Sequence, residues 1–132
     1  MRVSLLKADE VNLNGYMYTE DAIKNAIDDY KKKIDEGQSF GELGYPNSDA
    51  SVTDISRISH KVTEVEMNDK ILFGKIEILD TSKGNDLKKI IDNVVFRPRS
   101  VGNVNHDGTV TIKKIISFDA ILKDTDSYKD IL

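Results

Sequence analysis

The sequence contains no cysteine, no tryptophan and only two histidines, His60 and His106, among its 132 residues. The absence of cysteine excludes disulfide bonds, thiolate metal sites and a cysteine nucleophile. A zinc site would need both histidines together with carboxylates, and nothing in their spacing suggests one. We therefore expect neither a metal ion nor any other cofactor.

Long apolar runs are also missing. No segment approaches the ~18–20 consecutive apolar residues that a membrane-spanning helix needs. The first residues, Met-Arg-Val-Ser-Leu-Leu-Lys, lack the apolar core of a signal peptide. We expect a soluble protein that is not exported and has no membrane partner. The net charge of −4 disfavours sequence-independent binding of nucleic acid, so nucleic acid is not an expected partner either.

What the sequence does contain is the composition of a folded domain. Apolar residues make up 39% of the chain and charged residues 32%, which argues against intrinsic disorder. A chain of this length suits one domain, and no repeat, low-complexity stretch or linker divides it. We expect residues 1–132 to form a single domain.

The clearest predicted element is a helix that begins after Thr19. Thr19 is a suitable N-cap, and Glu20 and Asp21 lie at the end of the helix dipole that favours negative charge. Gly37 is a predicted stop. Apolar residues recur at helical spacing and define one face: Ile23, Ala26, Ile27, Tyr30 and Ile34.

Most of the remaining chain is predicted to form antiparallel strands. A turn is expected at residues 68–70, a hairpin turn at 105–108, and a short helix after the cap residue Thr81. Gly74, inside a strand, suggests a bulge or a close backbone approach. Together these elements predict an α+β domain built on an antiparallel sheet. The predicted strands cover residues 3–6, part of 52–65, 71–78, 94–96, 100–104, 109–116 and 117–122.

Two short segments carry the most specific information. Residues 41–46 read Gly-Glu-Leu-Gly-Tyr-Pro, and residues 95–102 read Val-Phe-Arg-Pro-Arg-Ser-Val-Gly. Both resemble the active-site segments of the prohead maturation proteases of tailed phages. In that family the first segment runs Gly-Glu-Leu-x-His-Pro, where the His is the catalytic base. The second runs Val-Ser-Ser-Arg-Gly-x-Gly, where the first Ser is the nucleophile. Here Tyr45 stands at the base position and Arg97 at the nucleophile position.

The resemblance extends over most of the chain. Residues 12–18 are similar to the family's entry into its first helix, and residues 81–84 match a Thr-x-x-Gly turn before a short helix. Residues 118–121 resemble a late Asp-x-Val strand of the family. The resemblance implies a bent antiparallel β-barrel with flanking helices, a fold that the family shares with the herpesvirus assemblins.

The resemblance also implies a mechanism, acyl transfer by a serine and a histidine. Tyr45 is a poor base because a phenol has a pKa near ~10. Arg97 is no nucleophile because a guanidinium stays protonated. Losing both groups costs on the order of 10⁶ in rate where such groups act as a unit. We therefore expect an inactive homologue that is not an enzyme, with Asp119 as a relic of the family's site.

The main functional expectation is a minor or auxiliary capsid component that uses this fold as a binding module. The resemblance implies the major capsid protein or other phage structural proteins as partners, and homo-oligomerisation is left open. It implies a location in the phage head, and in the host cytoplasm during assembly. An extended peptide is expected to bind by strand addition. The candidate binding residues are Glu42, Tyr45, Arg97 and Arg99.

Two interpretations of the arginines stay open. Arg97 and Arg99 share one face of a strand, and together they are suited to binding a carboxylate or a phosphate. Alternatively, Arg99 pairs internally with Glu42 or Asp119, which is the interpretation that we favour.

Two other functions remain as alternatives. One is an active maturation endopeptidase with relocated catalytic residues: Ser100, or a dyad of Ser56 or Ser59 with His60. Because adjacent residues of a strand point to opposite faces, we expect that Ser59 cannot use His60 directly. The other is a pseudoprotease that regulates an active paralogue. His106 lies in a polar turn and is expected to be exposed.

Overall fold

The structure, a computed structural model, describes residues 1–11, 15–44 and 52–125. Short 3₁₀ turns cover Ile55–Arg57, Ile91–Asn93 and Lys123–Thr125. The helices and strands of these residues are, in chain order, β1 (Arg2–Lys7), α1 (Glu20–Asp35), β2 (Phe40–Glu42), β3 (Ile58–Asn68), β4 (Ile71–Ile78), α2 (Ser82–Ile90), β5 (Val94–Val104) and β6 (Val110–Leu122).

Helix α1 forms where its cap and its apolar spacing predict it. The hydroxyl of Thr19 accepts a hydrogen bond from Ala22 N at 3.1 Å, which satisfies one free amide of the first turn. The chain leaves the helix through Gly37, whose φ of 69° favours glycine. The buried residues of the apolar face are Ile23, Ala26, Ile27 and Tyr30.

The first sheet has the strand order β1-β4-β3-β2 and is antiparallel throughout. The β3–β4 hairpin turns at Asp69 and Lys70, with φ values of 50° and 69°, where the sequence predicted a turn. A Cβ at Gly74 would lie 2.7 Å from Leu5 Cδ1 and 3.4 Å from the nearest backbone atom, Glu64 O, so the close neighbour of this glycine is a side chain rather than the predicted backbone.

Strand β3 begins later than its sequence pattern predicted. Asp54 caps the 3₁₀ turn Ile55–Arg57, because its carboxylate accepts a hydrogen bond from Ser56 N at 3.0 Å. This local hydrogen bond competes successfully with the strand conformation. The strand therefore starts at Ile58, and Ile55 is 84% exposed rather than part of a sheet.

Strands β5 and β6 form a second, two-stranded antiparallel sheet. The sequence predicted two short strands in place of each of them, whereas β5 runs for 11 residues and β6 for 13. Pro98 lies within β5, opposite Phe118. An edge strand tolerates proline because alternate N–H groups of such a strand point away from its partner.

Strand β2 joins the two sheets. Leu43, directly after β2, forms a parallel bridge with Ala120 of β6, and Gly44 N donates to Ala120 O at 2.7 Å. Helix α1 packs on β6, where the rings of Tyr30 and Phe118 meet edge-on with centroids 5.1 Å apart. The result is an α+β fold with a curled antiparallel half-barrel and two helices, which confirms the predicted fold class.

Candidate active site

A buried ionic cluster lies where β2 meets β5 and β6. Glu42, in the Gly-Glu-Leu segment, is 1% exposed. Its Oε2 lies 2.6 Å from Arg99 Nη2, and its Oε1 lies 3.0 Å from Arg57 Nε. Oε2 also accepts a hydrogen bond from Asp54 N at 3.1 Å. Two guanidinium groups thus offset the cost of burying this carboxylate.

Asp119 of β6 forms the second half of the cluster. Its Oδ1 accepts hydrogen bonds from Glu42 N at 3.0 Å and from Ser117 Oγ at 2.8 Å, and its Oδ2 lies 3.1 Å from Arg99 Nε. Burial raises the pKa of Asp119, while the Glu42 N–H and the Arg99 charge oppose that rise. Below, "the ionic cluster" means Glu42, Arg57, Arg99, Ser117 and Asp119.

These contacts confirm that Arg99 pairs internally, and it does so with both predicted carboxylates. Arg97 is also buried, at 1% exposure, and its Nη1 donates to the carbonyl oxygen of Phe96 at 2.9 Å. The binding roles of Glu42, Arg97 and Arg99 stay predictions. Tyr45, the fourth candidate binding residue, lies outside the described residues.

A serine–histidine pair lies on β3, next to the cluster. Ser59 Oγ is 2.7 Å from His60 Nδ1, and His60 Nε2 is 2.8 Å from the carbonyl oxygen of Phe118. Because a carbonyl oxygen only accepts, Nε2 carries the proton and Nδ1 accepts the Ser59 hydroxyl. Burial lowers the pKa of His60 to about 4, and the hydrogen bond to Phe118 opposes that shift. The imidazole is therefore neutral at neutral pH.

This pair corrects the prediction that Ser59 cannot use His60. Glu42 pairs with Ile58 whereas Gly41 pairs with His60, so Ser59 is an extra residue on β3. Such a bulge interrupts the alternation of side chains along a strand. Both side chains consequently turn inward, and both are fully buried.

Gly41 provides the space that His60 occupies. A Cβ at Gly41 would lie 2.6 Å from His60 Cε1 and would overlap His60 Nε2 and the carbonyl oxygen of Phe118. The imidazole also meets the ring of Phe96 edge-on, with centroids 5.0 Å apart. The Gly-Glu-Leu segment therefore serves both features: its glycine admits His60, and its glutamate holds the ionic cluster.

The other serines considered for catalysis lie elsewhere. Ser56 is exposed, and its hydroxyl donates to Asp54 Oδ1 at 2.7 Å. Ser100 is half-buried and follows a register shift in β5. His106 is exposed in the β5–β6 turn, as predicted. Within the described part of the chain, a serine hydroxyl reaches a histidine only at Ser59 and His60.

A hydroxyl bonded to a neutral imidazole is the arrangement that activates a serine as a nucleophile. Because Ser59 and His60 are fully buried, a substrate reaches Ser59 Oγ only after neighbouring segments move apart. Across residues 1–11, 15–44 and 52–125, no group of three or more His, Asp or Glu side chains is placed to hold a metal ion.

The curled half-barrel and its two helices define a prohead-protease-like fold. The solved structure of the bacteriophage T4 capsid assembly protease, gp21, matches this chain with a TM-score of 0.75 and 19% sequence identity. The match covers 92% of this chain and 80% of that chain. No protein-family model and no curated protein matches the sequence. No described helix is long and apolar enough to cross a membrane.

The expectation that this chain is not an enzyme is wrong. The finding that overturns it is the fold match to the T4 capsid assembly protease. The expectation rested on two positions of the motif, Tyr45 and Arg97. It also rejected the pairing of Ser59 with His60, whose side chains a bulge brings together.

Sequence reasoning also missed two members of the ionic cluster. Ser117 had a usable signal, because residues two apart on a strand share a face and Asp119 was already a candidate. Arg57 had none, because its contact with Glu42 depends on the 3₁₀ turn that precedes β3.

Proposed function

We propose that this chain is an endopeptidase that acts in the assembly of a phage head. The observation that carries the proposal is the fold match to a capsid assembly protease over 92% of the chain. Since one fold can host many functions, the chemistry has to be argued from the site itself.

In this proposal Ser59 is the nucleophile and His60 is the base. Ser59 Oγ attacks the carbonyl carbon of a peptide bond while its proton passes to His60 Nδ1. The C–N bond then breaks, and the proton moves from Nδ1 to the leaving amine. Water, deprotonated in turn by Nδ1, hydrolyses the ester and the proton returns to Ser59 Oγ. The Phe118 carbonyl keeps the ring in the required tautomer through its contact with Nε2, at 2.8 Å.

Because His60 is buried, the access of substrate to the site and the basicity of the His60 imidazole change together. With a pKa of about 4, the buried imidazole is a weak base, so proton transfer from serine is unfavourable while the site is closed. A movement that admits substrate also brings water to the ring, which raises the pKa of His60 towards its ordinary value of 6.5. The same opening therefore exposes the nucleophile and strengthens its base.

The ionic cluster helps to hold the Ser59–His60 pair in position. Asp119 and Glu42 fix β2 to β6 through the hydrogen bond from Glu42 N, at 3.0 Å. Gly41 and Phe118, which enclose the imidazole, directly precede Glu42 and Asp119 in the sequence. Disturbing the cluster is therefore expected to displace His60.

The substrate that we propose is a phage capsid or scaffold precursor. The T4 protein whose fold this chain matches is a capsid assembly protease, which supports this choice. Its place of action would be the assembling phage head in the host cytoplasm.

The proposal is tested by incubating the purified chain with capsid precursor protein from the same phage and analysing the products by mass spectrometry. We expect discrete cleavage by the unmodified chain and a rate at least about 10³-fold lower for Ser59→Ala. Ser100→Ala and Ser56→Ala are matched controls that keep the wild-type rate.

Two results would contradict this proposal. Absence of cleavage by the unmodified chain opposes the endopeptidase function. Cleavage that survives in Ser59→Ala but disappears in Ser100→Ala opposes the assignment of the nucleophile. Because Ser59→Ala leaves His60 Nδ1 without a donor, circular dichroism at the assay temperature has to show that the variant is folded.

A further inference from the structure

An unpaired strand edge lies beside helix α1. Strand β2 pairs with β3 only from Ile58 to Lys61, and the carbonyl of Ser39 extends this pairing to Val62 N, at 3.0 Å. Beyond that point, β3 pairs only with β4 among the described residues. Alternate backbone N–H and C=O groups of residues 63–68 therefore point away from the sheet.

A groove separates this strand edge from α1. Two cavities, of about 280 and 400 Å³, adjoin along it and share Lys31, Val65 and Glu66 as lining residues. Ile34 and Met67, both half-buried, also line it. The floor is thus apolar, and the groove runs alongside backbone groups that are open to pairing. We call it the strand-edge groove.

The rim of the strand-edge groove is more acidic than basic. Its exposed charged residues are two lysines and four carboxylates, which gives a net charge of −2: Lys24, Asp28, Lys31 and Asp35 from α1, and Glu64 and Glu66 from β3.

We propose that the strand-edge groove docks an extended segment of another polypeptide in which lysine or arginine alternates with apolar residues. The segment pairs with β3 as an added strand. Because side chains alternate along a strand, its apolar residues face the floor at Val65 while its basic residues meet Glu66. Glu64, on the same face, already pairs with Lys75 at 3.1 Å. This docking does not require Ser59, so it can be tested apart from cleavage.

A second copy of this chain fits the edge less well than a basic segment does. Antiparallel pairing of two β3 edges about Val65 would place Glu64 of one copy opposite Glu66 of the other. Like charges directly opposite each other destabilise a strand pair. Exposed charges on an edge strand are also a known means of preventing self-association.

The probe for this site is a fluorescently labelled six-residue peptide, Lys-Val-Lys-Val-Lys-Val, titrated into the full chain at low ionic strength, where surface charges are least screened. We expect binding, and amide chemical-shift changes confined to residues 63–68 and α1. A peptide with Glu in place of Lys should bind on the order of tenfold more weakly. A peptide N-methylated at alternate residues should lose binding, because it cannot donate to the strand edge.

Two variants with the same change of charge distinguish binding in the strand-edge groove from nonspecific electrostatic attraction to the whole chain. Glu66→Lys should weaken binding of the basic peptide by about fivefold, whereas Asp92→Lys, an equal change at an exposed site outside the groove, should leave it within about twofold. Equal weakening by both variants would overturn the proposal, as would equal affinity for the N-methylated peptide. A β3-mediated dimer of the unmodified chain, seen by sedimentation, would overturn it too.

Discussion

His60 occupies the space that any side chain at position 41 would need. Glycine is therefore required at this position of the Gly-Glu-Leu segment for a steric reason, and the segment is more than a marker of resemblance. A Cβ at this position would overlap both His60 Nε2 and the carbonyl oxygen that fixes its tautomer. The orientation of His60, the proposed base, thus depends on the absence of a side chain at Gly41 of the neighbouring strand β2.

Gly41→Ala is expected to lower the free energy of unfolding by about 2–3 kcal/mol, because an added methyl group in a packed interior forces neighbouring atoms to move. The control is Gly37→Ala, where a Cβ meets nothing within 4 Å and only the φ of 69° opposes the change. That control should cost about 1 kcal/mol. Urea denaturation measures both, and equal losses would contradict the close packing at Gly41.

The buried imidazole makes stability depend on pH in a definite direction. The folded pKa of His60, about 4, lies below its ordinary value of 6.5, so the unfolded chain binds this proton first as pH falls. The stability that neutral His60 contributes is complete above pH ~6.5 and is lost as pH falls towards ~4. Asp119 acts in the opposite sense, because its raised pKa lets the folded chain bind that proton first.

The measurement is the unfolding free energy from urea titrations at about pH 7.5 and about pH 4.5, where the unmodified chain should lose about 2 kcal/mol more than His60→Gln. Glutamine retains hydrogen-bonding groups but does not titrate in this range. Asp119 is present in both proteins, so the difference isolates His60. Identical losses would show that His60 is not held neutral by burial.

Among the secondary-structure elements, those with local signals were predicted and those set by distant partners were not. Helix α1 and the Thr81-capped α2 follow from a cap residue and apolar spacing, and the Thr81 hydroxyl accepts from Gly84 N at 2.9 Å. The unbroken β5 contradicts the prediction of separate strands at 94–96 and 100–104. Whether a strand can continue through a proline such as Pro98 depends on which edge of the strand is paired, which no local pattern shows. The bulge at Ser59 depends on β2, which no local pattern of β3 reveals.

The ionic cluster ties three elements together, so its loss should affect the fold as a whole. Arg99→Met leaves Glu42 and Asp119 buried with Arg57 as the remaining guanidinium of the cluster. We expect a loss of about 3–5 kcal/mol, as for other buried pairs that lose one partner. The control Lys75→Met breaks the ion pair with Glu64, whose two side chains are 58% and 65% exposed.

That control should cost less than about 1 kcal/mol, because solvent screens exposed ion pairs. Thermal or urea unfolding of both variants provides the comparison. If Arg99→Met were no less stable than Lys75→Met, the cluster would not hold β2, β5 and β6 together.

At the scale of the whole molecule, the sequence resemblance predicted the fold correctly, whereas the function inferred from it needed correction. Matching elements spread over the chain specify how strands and helices pack, and the structure confirms that arrangement. The substitutions at Tyr45 and Arg97 concern only the family's usual catalytic site, and they give no information about other places where a serine and a histidine could meet. The contact between the Ser59 hydroxyl and the His60 imidazole depends on the register of β3 against β2. That register is known only once the two strands are paired in the structure.

In the proposed function, Ser59 and His60 make this chain an endopeptidase of phage head assembly. The most direct test is the rate at which the chain cleaves its capsid precursor, compared with the rate of the folded Ser59→Ala variant. We expect discrete cleavage at a rate that falls at least about 10³-fold in the variant. An intact precursor after incubation with the unmodified chain, or an unchanged rate in Ser59→Ala, would contradict it.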